Sequence, residues 1–267
     1  MAQEMNPSQV LEKCIAGEVP EANALPQLLH IYRKSPRAVV TALCEKATSV
    51  LQQSDAGQAA VRAGAFLVNV ANFLDQHRED GEKSRNSKKG RPSSAMPEAA
   101  KPLLEHILHQ TGGQNRGPKD KATRAQGCTM LASLSLQAPE HPGVQDKLLE
   151  FSLDKVPSIR EKAVRGLAGL MPSPVAESAL LARISDPCTA VRASAVRGLR
   201  VSASTVASVI GRIDDVEACV RSQLFLRLAE QPSAVDVLGP AALTRLIAGL
   251  SDRMSSVRSA AGQAVGA

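Results

Sequence analysis

The chain has 267 residues, of which 43% are hydrophobic and 22% charged, and a formal net charge of +6. Its apolar content is sufficient for a folded core, and no stretch approaches the roughly 18 uncharged apolar residues that a membrane helix needs. The N-terminus lacks the basic and apolar regions of a secretory signal. With no Trp, one Tyr and four Phe, the composition excludes recognition of bases by aromatic stacking and suits close-packed helices.

The five cysteines include no C-x-x-C pair. They indicate a reducing compartment and argue against a disulfide framework or a zinc cluster. His106 and His109 have i, i+3 spacing, but no third ligand lies nearby in sequence. We therefore expect no metal and no other cofactor.

The first part of the chain, residues 1–75, is predicted to be helical. Apolar residues recur there with helical spacing over 8–16, 24–34, 36–53 and 56–75.

A basic segment follows at residues 76–97. Residues 76–125 contain 11 Lys or Arg and 6 Asp or Glu, so nearly all of the excess positive charge lies there. Residues 83–94 hold five basic residues, no acid and no apolar periodicity, which predicts a disordered insertion. The basic stretch 83–91 is open to three interpretations: a solvated linker, an arm that contacts phosphate, or a localisation signal.

The remainder, residues 98–267, contains an internal repeat. Helices are predicted at 98–110 and 119–137, and then four segments align without gaps. Each has Asp, five residues and Arg, with Ile or Val before the Arg: Asp154 to Arg160, Asp186 to Arg192, Asp215 to Arg221 and Asp252 to Arg258.

Apolar positions continue past each Arg on one helical face, and the Asp precedes the helix, where its carboxylate can cap free N–H groups. Another helix precedes each of these, at about 143–153, 175–184, 203–212 and 241–250. One helical hairpin cannot bury its own apolar face, so the units are predicted to stack as an all-α solenoid of six or seven hairpins.

The Asp and Val-Arg signature resembles the HEAT repeat, in which this Arg usually pairs with an Asp of its own or the next repeat. The resemblance implies a structural ladder made of Asp154, Arg160, Asp186, Arg192, Asp215, Arg221, Asp252 and Arg258. Cations outside the ladder remain free to meet phosphate and are the DNA-binding candidates: Lys119, Lys121, Arg124, Lys155, Lys162, Arg165, Arg197, Arg200, Arg212 and Arg253.

Three segments resemble one particular family of HEAT-repeat proteins more than HEAT repeats in general. They are Gly211-Arg212 with the following Asp215, the Leu228-Ala229-Glu230 exit, and the Gly249-Leu250 junction before Asp252-Arg253. Over about 144–260 the chain resembles the N-terminal HEAT region of the condensin subunit 3 family, and the expected chain is several times longer than this one.

The resemblance implies a non-catalytic scaffold in the nucleus or on chromosomes, with a cytoplasmic pool, which acts in mitotic chromosome condensation. Its implied partners are the condensin kleisin, through it the SMC ATPase pair, and double-stranded DNA without sequence preference; no membrane partner is expected. It also implies that Lys155, Arg212 and Arg253 occupy basic family positions.

Two alternatives remain. A generic HEAT adaptor for protein partners is favoured if the candidate cations scatter over several faces. A HEAT-fold DNA glycosylase is less consistent with the sequence, because such an enzyme needs aromatic residues to hold the extruded base. No nucleophile and base pair or nucleotide-binding motif occurs.

Overall fold

The computed structural model describes residues 6–53, 58–77, 100–111, 120–135 and 142–266. Within these ranges the chain forms fourteen α-helices and no strand. The all-α HEAT-type fold predicted from the sequence is therefore confirmed, and fourteen helices are enough for the six or seven predicted hairpins. The predicted disordered insertion lies almost entirely outside the described residues.

The helices fall into two compact units, Met1–Lys147 and Leu148–Ala267. The predicted segments 1–75, 76–97 and 98–267 stay a prediction. None of the described helices is long and apolar enough to cross a membrane.

The first unit contains α1 (Pro7–Ile15), α2 (Glu21–Lys34), α3 (Pro36–Leu51), α4 (Gln58–Gln76), α5 (Ala100–Thr111) and α6 (Lys121–Ser135). Helix α1 begins where the side chain of Asn6 accepts a hydrogen bond from the Ser8 N–H at 3.1 Å, which caps the helix. The turn to α2 uses Gly17, whose φ of +81° favours glycine.

The helices of this unit pack in two layers. Helices α1, α3 and α5 lie side by side, as do α2, α4 and α6. Leucines supply most of the core between the layers, and Leu28, Leu43, Leu67, Leu103 and Leu131 are fully buried. The single tyrosine, Tyr32, is also buried, with 4% of its surface exposed.

Helix α7 (Pro142–Phe151) contains the boundary between the two units, and the second unit begins within it at Leu148. This unit contains α8 (Pro157–Gly169), α9 (Pro174–Arg183), α10 (Thr189–Gly198), α11 (Val206–Ile210), α12 (Ala218–Glu230), α13 (Pro240–Ala248) and α14 (Ser255–Gly266). The second helices of successive hairpins, α8, α10, α12 and α14, pack side by side in one layer.

Glycines permit the close approaches in this unit. A Cβ on Gly198 would lie 2.5 Å from the Cβ of Ala168, and one on Gly249 would lie 2.2 Å from the ring of Phe225. Any larger residue at these two positions would force the neighbouring helices apart.

Helix α11 is shorter than the predicted 203–212 helix. The hydroxyl of Thr205 accepts from the Ser202 N–H at 2.9 Å and donates to the carbonyl oxygen of Arg200 at 2.5 Å. These bonds build a turn where the apolar spacing predicts helix. After α11 the chain tightens into a 3-10 turn, Gly211–Asp214, before Asp215.

Candidate functional site

On α8, α10 and α12, an arginine binds the aspartate that precedes the second helix of the following hairpin. In the middle pair, Arg192 Nε donates to Asp215 Oδ2 and Arg192 Nη2 donates to Asp215 Oδ1, both at 2.9 Å. The same two-point contact, at 2.8 to 2.9 Å, joins Arg160 to Asp186 and Arg221 to Asp252. We call these three pairs the ladder.

Each ladder arginine also holds its own hairpin together. Arg192 Nη1 donates to the carbonyl oxygens of Asp186 and Pro187, at 3.0 and 3.3 Å. Each ladder aspartate in turn accepts a backbone N–H at the start of its helix, as Asp215 Oδ1 does from Glu217 at 3.0 Å. One aspartate therefore caps its own helix and binds the preceding hairpin.

The ladder carboxyl groups have lowered pKa values. The hydrogen bond from Arg221 lowers the pKa of Asp252, and the backbone N–H of Met254 lowers it further. Burial acts to raise the pKa of Asp186, but the hydrogen bond and charge of Arg160, with the Cys188 N–H, lower it below its ordinary value. The ladder is thus built for ionised carboxylates.

Arg258, which the sequence pattern placed in the same series, differs from the three ladder arginines. Its Nη1 donates to the carbonyl oxygens of Asp252 and Arg253, at 2.7 and 3.1 Å. Within the part of the chain that the structure describes, no carboxylate lies within ion-pair distance of Arg258, and its side chain is exposed. Asp154, at the other end of the series, accepts the Val156 N–H at 2.8 Å.

A groove runs across the layer of second helices in the second unit. It is a cavity of about 630 Å³ lined by residues of α8, α10 and α12, among them Arg165, Arg197 and Arg227. The structure therefore brings together Arg165 and Arg197, which occupy the same repeat position. It adds Arg227, which the sequence analysis did not single out.

Carboxylates accompany the three groove arginines. Arg165 pairs with Glu161 at 2.6 Å, and Arg197 pairs with Glu230. Arg227 Nε donates to the carbonyl oxygen of Leu199 at 2.6 Å, and its Nη1 lies 3.8 Å from Glu230. Three guanidinium groups against two carboxylates leave only a small positive excess in the groove.

Burial lowers the pKa of Arg227. The neighbouring charge of Glu230 acts in the opposite direction, and those of Arg197 and Arg200 lower the pKa further. Arg200 is exposed and lies just beyond the end of α10. Arg197 and Arg200 are thus close enough for their positive charges to act on Arg227.

A second set of candidates lies on the turns that lead into the second helices. Lys155 directly follows Asp154 and Arg253 directly follows Asp252, and both cations are exposed. The carbonyl oxygen of Lys155 accepts from Arg160 Nη1 at 3.3 Å, and Arg258 makes the equivalent bond to Arg253. The ladder arginines thus hold the backbone of both turns. We call Lys155 and Arg253 the turn cations.

Arg212 is tied to the ladder. Its Nη1 lies 3.6 Å from Asp215 Oδ2, and its side chain is 30% exposed. Its Nε is buried and has no hydrogen-bond partner in the described part of the chain. Arg212 therefore adds positive charge beside Asp215 and is less available to a ligand than the turn cations.

The other candidates are dispersed. Lys121 is exposed at the start of α6, whereas Arg124, one turn later, is buried. Lys162 on α8 is half-buried. Lys119 and the basic stretch 83–91 lie outside the described residues. Of the candidates in the second unit, only Arg165 and Arg197 line the groove; the others do not: Lys155, Lys162, Arg200, Arg212 and Arg253.

The chain is similar in sequence to known proteins, although no protein-family model matches it. The chain is 27% identical over 208 residues to condensin complex subunit 3 of Schizosaccharomyces pombe, covering 73% of this chain and 21% of that protein. It is also 27% identical over 158 residues to condensin complex subunit 3 of Xenopus laevis, covering 54% and 15%.

The fold of a solved relative agrees. The crystal structure of the S. pombe condensin Cnd3-Cnd2 subcomplex contains a chain that matches 97% of this one with a TM-score of 0.77 and 22% identity, over 32% of its own length. The chain spans about a fifth of the S. pombe curated relative that it matches. In sequence and in fold, the chain is similar to a portion of condensin complex subunit 3, and the resemblance indicated by its repeat residues is confirmed.

Proposed function

We propose that the chain is a non-catalytic HEAT scaffold of the condensin subunit 3 type. The observation that carries the proposal is the similarity to condensin subunit 3, which extends over 73% of the chain in sequence and 97% in fold. The proposed role is in mitotic chromosome condensation, in the nucleus and on chromosomes, and it needs no cofactor.

The proposed protein partner is the condensin kleisin, through which the scaffold would reach the SMC ATPase pair. The related S. pombe chain was crystallised in a subcomplex of Cnd3 with Cnd2, which supports a partner of this class.

The second proposed ligand is the backbone of double-stranded DNA. The three ladder arginines each donate Nε–H and Nη2–H to a carboxylate, so their charges are neutralised within the protein. Lys155 and Arg253 are exposed and hold the same repeat position in the first and the last of the four repeats, with Pro187 and Val216 at that position between them. Both side chains can meet phosphates. We assign the duplex contact to the turn cations in preference to the groove, whose arginines face Glu161 and Glu230.

Duplex binding through phosphates has a defined signature. Binding should be independent of sequence, and its affinity should fall steeply with salt because bound counterions are released. Titration of a fluorescent duplex with the protein at several salt concentrations tests this. An affinity that stays flat between low and moderate salt contradicts the proposal.

A protein adaptor of another kind is the second candidate. The observation that favours it is that only Arg165 and Arg197 among the candidate cations of the second unit line the groove, and both pair with carboxylates there. If the protein binds no duplex but retains a protein partner in its groove, the adaptor function replaces DNA binding.

An enzyme of the HEAT-fold glycosylase type has less support. The single tyrosine is buried in α2, so it cannot stack on an extruded base, and the sequence has no Trp.

A further inference from the structure

Each of the two turn cations precedes a serine by three positions. Lys155 is followed in this way by Ser158 on α8, and Arg253 by Ser256 on α14. Both serines are the second residue of their helix. The first and the last of the four repeats therefore carry a cation and a hydroxyl group at the same two positions.

The two repeats between them lack both members of this pair. Pro187 and Val216 stand in place of the cation, and Ala190 and Cys219 stand in place of the serine. Helices α10 and α12 thus begin without a serine at this position, so the helix start does not require one. Within the four repeats, the cation and the serine occur together or not at all.

The two serine hydroxyls are accessible. Ser158 and Ser256 are exposed, and neither hydroxyl has a hydrogen-bond partner among the described residues. A kinase binds its target serine in an extended segment, so the first helical turn must open. In α14 this breaks two backbone hydrogen bonds of 3.1 Å, from the N–H groups of Val257 and Arg258 to the carbonyl oxygen of Met254. Helix ends open at far lower cost than whole helices.

We propose that Ser158 and Ser256 are phosphorylation sites of a serine kinase that selects a basic residue three positions before its target. In this reaction the serine Oγ attacks the γ-phosphorus of ATP. The new Oγ–P bond replaces the bond between that phosphorus and the bridging oxygen of the β-phosphate. ADP leaves, and the hydroxyl proton passes to solvent.

The phosphate at these positions releases duplex DNA from the turn cations. It carries a charge of about −1.5 to −2 at neutral pH, which cancels the single positive charge of Lys155 or Arg253 and leaves the turn negative. Three residues span at most about 11 Å, so the phosphate and the long cationic side chain can meet. This release of DNA rests on the duplex contact proposed above.

The sites are tested on the full chain with ATP and calmodulin-dependent protein kinase II, which accepts arginine three positions before serine. Mass spectrometry measures the phosphate on each serine over time. We expect phosphate on Ser256, and a rate about tenfold lower in Arg253→Gln because the charged contact to the kinase is lost. Lys155→Arg should raise the rate at Ser158. Ser259 is the control, since it is exposed on α14 but has no cation three positions before it.

The release of DNA is tested by titrating a fluorescent duplex at several salt concentrations. Phosphorylation of Ser256 should lower the affinity by about tenfold and reduce the slope of log affinity against log salt by about 1. Ser256→Asp should act in the same direction. Ser259→Asp adds a charge to the same helix one turn later and should have a far smaller effect. Circular dichroism should be the same for all of these proteins.

Each part of the proposal can fail separately. Absence of phosphate on Ser256, or a rate that Arg253→Gln leaves unchanged, would overturn the sites. Equal duplex affinity of the phosphorylated and unmodified chains would overturn the release of DNA. If the unmodified chain binds no duplex at any salt concentration, the proposed duplex contact fails and the release fails with it. The phosphate measurements decide the sites in that case too.

Discussion

Arg192 and Asp215, 23 positions apart, share two hydrogen bonds of 2.9 Å, and their side chains are only 11% and 3% exposed. Removal of one partner leaves the other charge nearly buried and without its counter-ion. Loss of one partner of this pair should therefore destabilise the second unit far more than loss of one partner of an exposed ion pair.

Reversal of the Arg192 charge should destabilise the protein strongly. Arg192→Glu places a carboxylate against Asp215, and we expect the free energy of unfolding to fall by about 3–5 kcal/mol. Urea denaturation followed by circular dichroism measures the change. Arg37→Glu, the same reversal at an exposed residue at the start of α3, is the control and should cost far less. Equal losses for the two variants would show that the ladder contributes little.

The protein should lose stability in acid because of the ladder. Asp186 and Asp252 have native pKa values below the ordinary 3.8, so the unfolded chain takes up their protons at higher pH than the native chain. Their contribution is complete above about pH 5 and is lost as the pH falls through the lowered native pKa values.

This acid sensitivity can be assigned to single carboxyl groups. Below pH 4, the dependence of unfolding free energy on pH should be shallower in Asp186→Asn than in the natural sequence, since the amide does not titrate. Asp146→Asn changes an exposed acid on α7 and should leave the slope unchanged. Identical slopes for all three proteins would mean that the ladder acids do not cause the loss.

Glycine positions give a test of the close packing. Gly249→Ala places a methyl group 2.2 Å from the ring of Phe225, and overpacking of this kind should lower the free energy of unfolding by about 1–3 kcal/mol. The matched control is Gly262→Ala within α14, where nothing lies within 4 Å of the added Cβ. That change should stabilise the helix by up to about 1 kcal/mol. Thermal unfolding of the two variants should shift in opposite directions, and shifts of the same sign would contradict the packing shown here.

The turn cations should contribute to duplex binding without stabilising the fold. Lys155→Gln and Arg253→Gln should each weaken binding for every duplex sequence and reduce the slope of log affinity against log salt by about 1. Arg37→Gln supplies the control for general charge. The circular dichroism of the variants should match that of the natural sequence. If the slope falls equally with the control, the binding is a property of net charge and not of the turns.

Arg212 is unsuitable for the same test. Arg212→Glu would place a negative charge beside Asp215, whose Oδ2 now lies 3.6 Å from Arg212 Nη1. The variant should unfold more easily, and reduced DNA binding by it would be ambiguous.

Helical periodicity was sufficient to predict the all-α fold, and the Asp and Arg spacing singled out the residues that form the three pairs. Arg258 was placed in the same series but binds only backbone carbonyl oxygens. The spacing did not decide whether each arginine binds the aspartate of its own repeat or of the next. In the structure the guanidinium group makes both kinds of contact. Arg192 donates to the carbonyl oxygen of Asp186 in its own turn and to the carboxylate of Asp215 in the next hairpin. That choice depends on the stacking of hairpins, which a one-dimensional pattern does not contain.

The surface chemistry was less predictable. Arg227 was missed because its position is Gly166, Gly198 and Ala264 in the other repeats, so no periodic signal marks it. Arg124 has the sequence context of an exposed cation, but it is buried in α6. Burial of a long polar side chain depends on which helices pack against it, and this is determined by tertiary contacts beyond the local sequence.

Co-purification with a fragment of the condensin kleisin, with and without duplex DNA, tests the proposed scaffold most directly. We expect the full chain to retain the fragment in the absence of DNA. We also expect duplex DNA to join the complex, and the double variant Lys155→Gln, Arg253→Gln to retain less of it. Failure of the folded chain to retain the kleisin fragment under either condition would contradict a scaffold of the condensin subunit 3 type.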